Sequence, residues 1–154
     1  MIVGLGLAAD QATKWQVFNW LSRERSAQIV LLPSFLSFTA TRHNGAAFGL
    51  LQGQLGVLVA ISALALVIVT FMAVATSSKL QAVGLGLIGA GALGNFVDRA
   101  FLGHVRDFID FVFWPTFNAA DSLITIGVIL LIWQALFCKS RRKKSPLEAR
   151  VTPQ

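Results

Sequence analysis

Four of the chain's seven acidic residues, Asp98, Asp107, Asp110 and Asp121, lie between Gly89 and Asp121, with Asn95, Arg99 and Asn118 among them. Uncharged apolar runs flank this stretch, Leu80–Val97 before it and Ser122–Cys138 after it. An ionised side chain at bilayer depth costs roughly 2.5–3.5 kcal/mol, so carboxylates beside such runs are placed for chemistry or pairing rather than solubility. Two carboxylates that share one proton can hydrolyse a peptide bond without a metal or a covalent nucleophile, because like charges close together do not both ionise readily. The ionised member takes a proton from water while the protonated member polarises the carbonyl. No Ser–His or Cys–His arrangement competes with this. Cys138 is the single cysteine, which excludes an intrachain disulfide and a cysteine-cluster metal site, and His43 and His104 lie far apart without ligand spacing. The expectation is a polar reaction site at the end of a helical bundle, with no metal and no cofactor. Sequence distance alone does not say which two aspartates meet.

The elements that must position such a site are membrane elements. Of 154 residues, 55% are hydrophobic and 13% charged, against about 25% charged in soluble domains. No Asp, Glu, Lys or Arg occurs from His43 to Ser78. A soluble domain could not leave that much surface uncharged. The net charge of +6 owes much to Lys139–Lys144 (KSRRKK), directly after the last apolar run. A basic block there reads as a positive-inside anchor. Neither an aromatic platform nor a basic groove accompanies it, so no nucleic-acid partner is expected.

Taken in order, Met1–Ala9 is apolar but too short to cross a bilayer, which needs about 20 residues. A helix through 1–20 carries Asp10 and Lys14 near its middle, four apart on one face, and an ion pair between them is the plainer reading. Residues 21–54 read as a mixed segment outside the bilayer. Within it Gln28–Thr41 alternates like short strands around a Pro33-Ser34 turn. Leu55–Ala75 is 21 uncharged residues, about 31 Å as a helix, and Leu80–Val97 follows a short polar loop. Gly84–Gly89 spells G-x-G-x-x-G, but inside an apolar span rather than between strand and helix, which argues against a dinucleotide site. Ala82, Gly86, Ala90 and Gly94 instead form a small-residue face for close helix packing. Asn95, Asp98 and Arg99 project from one side of that helix. Asn118 and Asp121 have the spacing of a capping box at a helix start, and taken alone that reading outweighs a catalytic one.

Several ordered motifs together make a specific pattern. Gly91, Gly94, Asn95, Asp98 and Arg99 form G-x-x-G-N-x-x-D-R; Val105, Asp107 and Phe108 form V-x-D-F; Phe117, Asn118, Ala120 and Asp121 form F-N-x-A-D. With D-Q-x-T-K at Asp10–Lys14 and G-A-A-F at Gly45–Phe48, the chain resembles lipoprotein signal peptidase, the signal peptidase II family, over most of its length. The resemblance implies that Asp107 and Asp121 are the catalytic dyad. It also implies that Asp10, Lys14, Asn44, Asn95, Asp98, Arg99 and Asn118 support the site or bind substrate. The family usually reads N-x-G-A-A-F. Here His43 occupies that asparagine's place and Asn44 adjoins Gly45; either can serve, and Asn44 is preferred. Asp110 matches a less specific position. Family members carry a longer apolar lead before D-Q-x-T-K, so a later start and a shortened first span are expected.

The expected architecture is a four-transmembrane-helix bundle with a small extracytoplasmic β-cradle. Its spans fall near 1–20, 55–75, 80–97 and 119–138, its outer parts near 21–54 and 98–118. Residues 1–138 form the membrane-embedded peptidase domain and 139–154 a basic cytoplasmic tail. The resemblance implies an aspartyl endopeptidase of the bacterial inner membrane, with its site at the outer face. It would remove signal peptides from diacylglyceryl-modified prolipoproteins just before the lipidated cysteine. Its partners would be the lipid-modified precursor and membrane lipids, it would act as a monomer, and globomycin would bind its site. The rival readings are a small transporter or channel lined by charged residues, or a structural membrane subunit whose aspartates only pair. Four spans are few for a transporter, and no inverted pair of broken helices is visible.

Overall fold

The computed structural model describes residues 1–24, 28–43 and 53–137. Four long helices and one small sheet account for most of them: α1 (Ile2–Arg23), β1 (Gln28–Leu32), β2 (Leu36–His43), α2 (Leu55–Ala75), α3 (Lys79–Leu102), β3 (Val105–Phe111), β4 (Trp114–Phe117) and α4 (Ala119–Phe137). Three of these helices, α2, α3 and α4, are long and apolar enough to cross a membrane. The 22-residue α1 is long enough, about 33 Å, but is not among them, and it carries Asp10, Lys14 and Arg23.

Helix α3 is the centre of the bundle and packs against α1, α2 and α4. Its glycines explain how. A methyl group at Gly91 would run into the Ala120 carbonyl, one at Gly94 into the Asp10 carboxylate, and one at Gly86 into Ile2. The face expected at Ala82, Gly86, Ala90 and Gly94 therefore meets α1, where Gly6 sits against the Ala90 methyl. A second small-residue face, Gly84 and Gly91, meets α4, where Gly127 sits against the Gly84 carbonyl. The G-x-G-x-x-G run lies wholly inside this helix. Caps mark both ends of α3. Ser78 accepts from the Gln81 N–H at the start, and Gly103, in the left-handed region at φ 77°, closes the end.

The four strands form one antiparallel sheet in the order β1-β2-β3-β4. The Pro33-Ser34 turn lies where the alternation placed it, with Ser34 at φ 58°. The β3–β4 hairpin was not anticipated, although Val105, Phe108, Ile109 and Phe111 are strand-favouring types. The sheet is fastened to the bundle through aromatic edges. Trp20 of α1 meets Phe38 of β2 edge-on, and Phe38 meets Phe108 of β3 in the same way. Phe35, Phe111, Phe113 and Phe117 make a second cluster toward the hairpin tip.

Candidate active site

Each site residue is brought in by a different local rule. Helix α3 continues to Leu102, beyond the apolar run 80–97, so Asn95, Asp98 and Arg99 are helical residues. Strand β3 alternates its side chains between faces, which sends Arg106 and Asp107 in opposite directions. Asn118 and Asp121 close the start of α4 as a reciprocal cap. The Asp121 N–H donates to Asn118 Oδ1 at 3.1 Å, and the Asn118 N–H donates to Asp121 Oδ2 at 3.2 Å.

That cap also belongs to a larger constellation. Asn118 is fully buried, and its Nδ2 donates to Asp107 Oδ1 at 2.5 Å and to Asn95 Oδ1 at 3.1 Å. Asn95 Nδ2 in turn donates to Asp121 Oδ1 at 2.8 Å. Asp107 and Asp121, 14 residues apart in sequence, are thus both bonded to one residue. Asp107 is buried. Asp121 borders a cavity of about 380 Å³ that is also lined by Trp114, Phe117, Ser122, Thr125 and Ile126. The remaining Asp107 oxygen, Oδ2, faces His43 Nδ1 at 2.5 Å. His43 lies diagonally across the β2–β3 ladder, since its register partner is Val105 and that of Asp107 is Thr41. Diagonal neighbours on one face are within reach of long or aromatic side chains.

Behind this pair lies a buried charge network. Lys14 and Asp10 are both fully buried, and Lys14 Nζ reaches Asp10 Oδ2 at 2.8 Å, Asn95 Oδ1 at 3.1 Å and Asp98 Oδ2 at 3.3 Å. The other Asp10 oxygen accepts the Ala120 N–H at 2.8 Å, which ties α1 to the first turn of α4. The expected ion pair on α1 is present, and it also braces the two helices that carry Asn95 and Asp121. Asp98, also fully buried, accepts from the Arg106 backbone N–H at 3.0 Å and from Arg106 Nη2 at 2.7 Å. Gln11 Nε2 donates to Asp98 Oδ1 at 3.2 Å, and Gln11 Oε1 accepts from Arg106 Nη2 at 2.6 Å.

The structure therefore gathers Asp10, Lys14, Asn95, Asp98, Asp107, Asn118 and Asp121 at one end of the bundle. Arg99 lies within electrostatic range of Asp121, Asp107 and Asp98, but among the described residues its buried Nε has no hydrogen-bond partner. Asn44 lies outside the described residues. Asp110 faces Ser37, whose hydroxyl is 3.4 Å from Oδ2. Gln11 and Arg106 were missed as site residues. Gln11 stands within D-Q-x-T-K, but nothing local to Arg106 announces its partner, because Asp98 lies across a turn on the preceding helix. Among the described residues no three His, Cys, Asp or Glu side chains gather as a metal ion would require.

Two carboxylates, Asp107 on β3 and Asp121 in the first turn of α4, are thus held by amide donors beside helices apolar enough to cross a membrane. Comparison with known proteins gives the family. The model of the family described as signal peptidase (SPase) II matches residues 2–137, so this chain belongs to the signal peptidase II family. A lipoprotein signal peptidase of Geobacillus thermodenitrificans (strain NG80-2) is 40% identical over 143 residues, covering 89% of this chain and 88% of that protein. One from Francisella tularensis subsp. novicida (strain U112) is 39% identical over 146 residues, covering 88% and 89%. Two solved structures, described as bacterial membrane enzyme structures by the in meso method, superpose with TM-scores of 0.79 and 0.76 at 34% identity. They cover 94% and 90% of this chain, and the chain covers 90% and 92% of theirs.

Proposed function

We propose that this chain is a membrane aspartyl endopeptidase that removes signal peptides from lipoprotein precursors, with Asp107 and Asp121 as its dyad. Membership of the signal peptidase II family supports the reaction. The observation that carries the assignment of residues is the double role of Asn118, which bonds both carboxylates at once. Carboxyl groups brought together share a single proton more readily than both ionise. The ionised member abstracts a proton from a water as that water attacks the scissile carbonyl carbon. The protonated member hydrogen-bonds the developing oxyanion and then supplies the proton that the leaving amine requires. Asn95 and Asn118 orient the pair, and Lys14, Asp10, Asp98, Arg106 and Gln11 hold Asn95 and the strand in register.

The four helices form a four-span bundle in this reading, with the sheet as an extracytoplasmic cradle. The basic block at Lys139–Lys144 keeps that end in the cytoplasm. The dyad then faces outward, where an exported precursor of the bacterial inner membrane arrives by lateral diffusion. The cavity beside Asp121 opens between β4 and the first turns of α4. Its apolar walls suit the substrate chain just before the lipidated cysteine, and globomycin would compete there. The chain acts as a monomer in this scheme.

The test is cleavage of a diacylglyceryl-modified precursor by the purified chain, with and without a chelator. Cleavage that survives chelation and disappears in both Asp107→Asn and Asp121→Asn is the expected result. Normal cleavage by either variant refutes the dyad.

A further inference from the structure

The His43 ring meets the one dyad oxygen that Asn118 and Asn95 leave free. We infer that His43 is a positioning residue that decides which carboxylate of the pair is ionised, making Asp107 the general base and leaving the shared proton on Asp121. The inference rests on the dyad reading above and assigns its two roles.

Asp107 accepts from Asn118 Nδ2 at Oδ1, and its Oδ2 meets His43 Nδ1, which donates when the imidazole proton is on Nδ1 and accepts when it is on Nε2. An amide NH₂ only donates, and a carboxylate acting as acceptor requires the imidazole proton to be on Nδ1. With the imidazole proton on Nδ1, Asp107 in its acid form would have to place its own proton against one of these donors. Asp121 is also bonded at both oxygens, but its donors are the Asn95 amide and the Asn118 backbone N–H, both neutral. His43 can carry a full positive charge in contact with Asp107. Its side chain is 41% exposed, so water can hydrate that charge. Charge-assisted hydrogen bonds are roughly twice as strong as neutral ones, which tips the shared proton toward Asp121.

Of the other cations nearby, Lys14 is held by Asp10 and Asp98 but also acts on Asp121 from a distance, and Arg106 is held by Asp98. Arg99 is within range of both dyad members. Among the described residues none of these cations forms an ion pair with a dyad oxygen, whereas His43 touches one. An asparagine in place of His43 could donate to Asp107 but could not carry charge. His43 is therefore the residue that breaks the symmetry between the two carboxylates.

Three variants and one spectrum test this. His43→Ala should lower kcat on the order of 100-fold, as misplacing a reacting group does, with KM nearly unchanged. His43→Asn, which keeps a donor without the charge, should recover part of that loss. The chain has two histidines, His43 and His104, so imidazole ¹⁵N NMR of the full chain in micelles resolves them. His43 should carry its proton on Nδ1, and Asp107→Asn should move the His43 ring signals while leaving those of His104 in place. A wild-type kcat in His43→Ala, or a loss confined to KM, overturns the inference. So does a His43 ring protonated on Nε2 alone or indifferent to Asp107→Asn. If His43→Ala does not fold, the NMR comparison decides by itself. Asp107→Asn separates the two levels. If it cleaves normally, the dyad has failed; if it is inactive while His43→Ala is normal, only the role of His43 has.

Discussion

Asn118 does two jobs that ordinarily belong to different residues, and they can be separated. Its Oδ1 caps α4, while its Nδ2 holds Asp107 and Asn95. Asn118→Ser keeps an oxygen of the right kind for the cap but offers no donor that reaches Asp107. It should stay folded and lose activity on the order of 100-fold. Asn118→Ala should lose activity to the same degree and also about 1 kcal/mol of stability from the missing cap. Comparing thermal unfolding and turnover of the two variants checks both statements. The dyad itself should be non-additive. Asp107→Asn and Asp121→Asn should each abolish cleavage, and the double variant should be scarcely worse than either, because residues acting as one unit fail together. Asp110→Asn, whose carboxylate faces Ser37, should retain substantial activity.

At the scale of elements, the buried charges act as fasteners between α1, α3, β3 and α4. Removing one partner strands the others, and breaking a buried pair costs roughly 3–5 kcal/mol. Lys14→Met leaves Asp10 and Asp98 without their shared cation. It should lower the unfolding midpoint in detergent far more than a surface lysine change such as Lys79→Met. Helix packing makes a second contrast. Gly91→Ala drives a methyl into the Ala120 carbonyl, and overpacking of this kind costs about 1–3 kcal/mol. Since Ala120 precedes Asp121, that variant should lose activity along with stability. Gly4→Ala meets nothing within 4 Å among the described residues and should be neutral or gain up to about 1 kcal/mol from helix propensity.

Over the whole molecule, the site, the sheet, the C-terminal ends of α1 and α3 and the N-terminal end of α4 share one end, with Ser78 and Gln134 joined at the other. The proposed topology puts these ends on opposite sides of the membrane. In a Cys138→Ser background, Lys79→Cys should label only from the cytoplasmic side and Phe113→Cys only from outside. An internal Phe113→Cys, or an external label at residue 142, refutes the four-span arrangement. Much of the design was legible without coordinates. Apolar run lengths and the absence of charge from His43 to Ser78 specify membrane helices, because lipid tolerates neither short spans nor scattered charge. The ordered motifs single out Asp10, Lys14, Asn95, Asp98, Asp107, Asn118 and Asp121, polar residues that stand out in an apolar chain. Pairings between elements were not legible. That Asn118 joins Asp107 to Asp121, that Arg106 answers Asp98, and that His43 reaches Asp107 depend on a β3–β4 hairpin and a diagonal contact across the ladder. Those are set by strand register and helix crossing, where residues far apart in the chain meet only after the small faces of α3 let α1 and α4 close in.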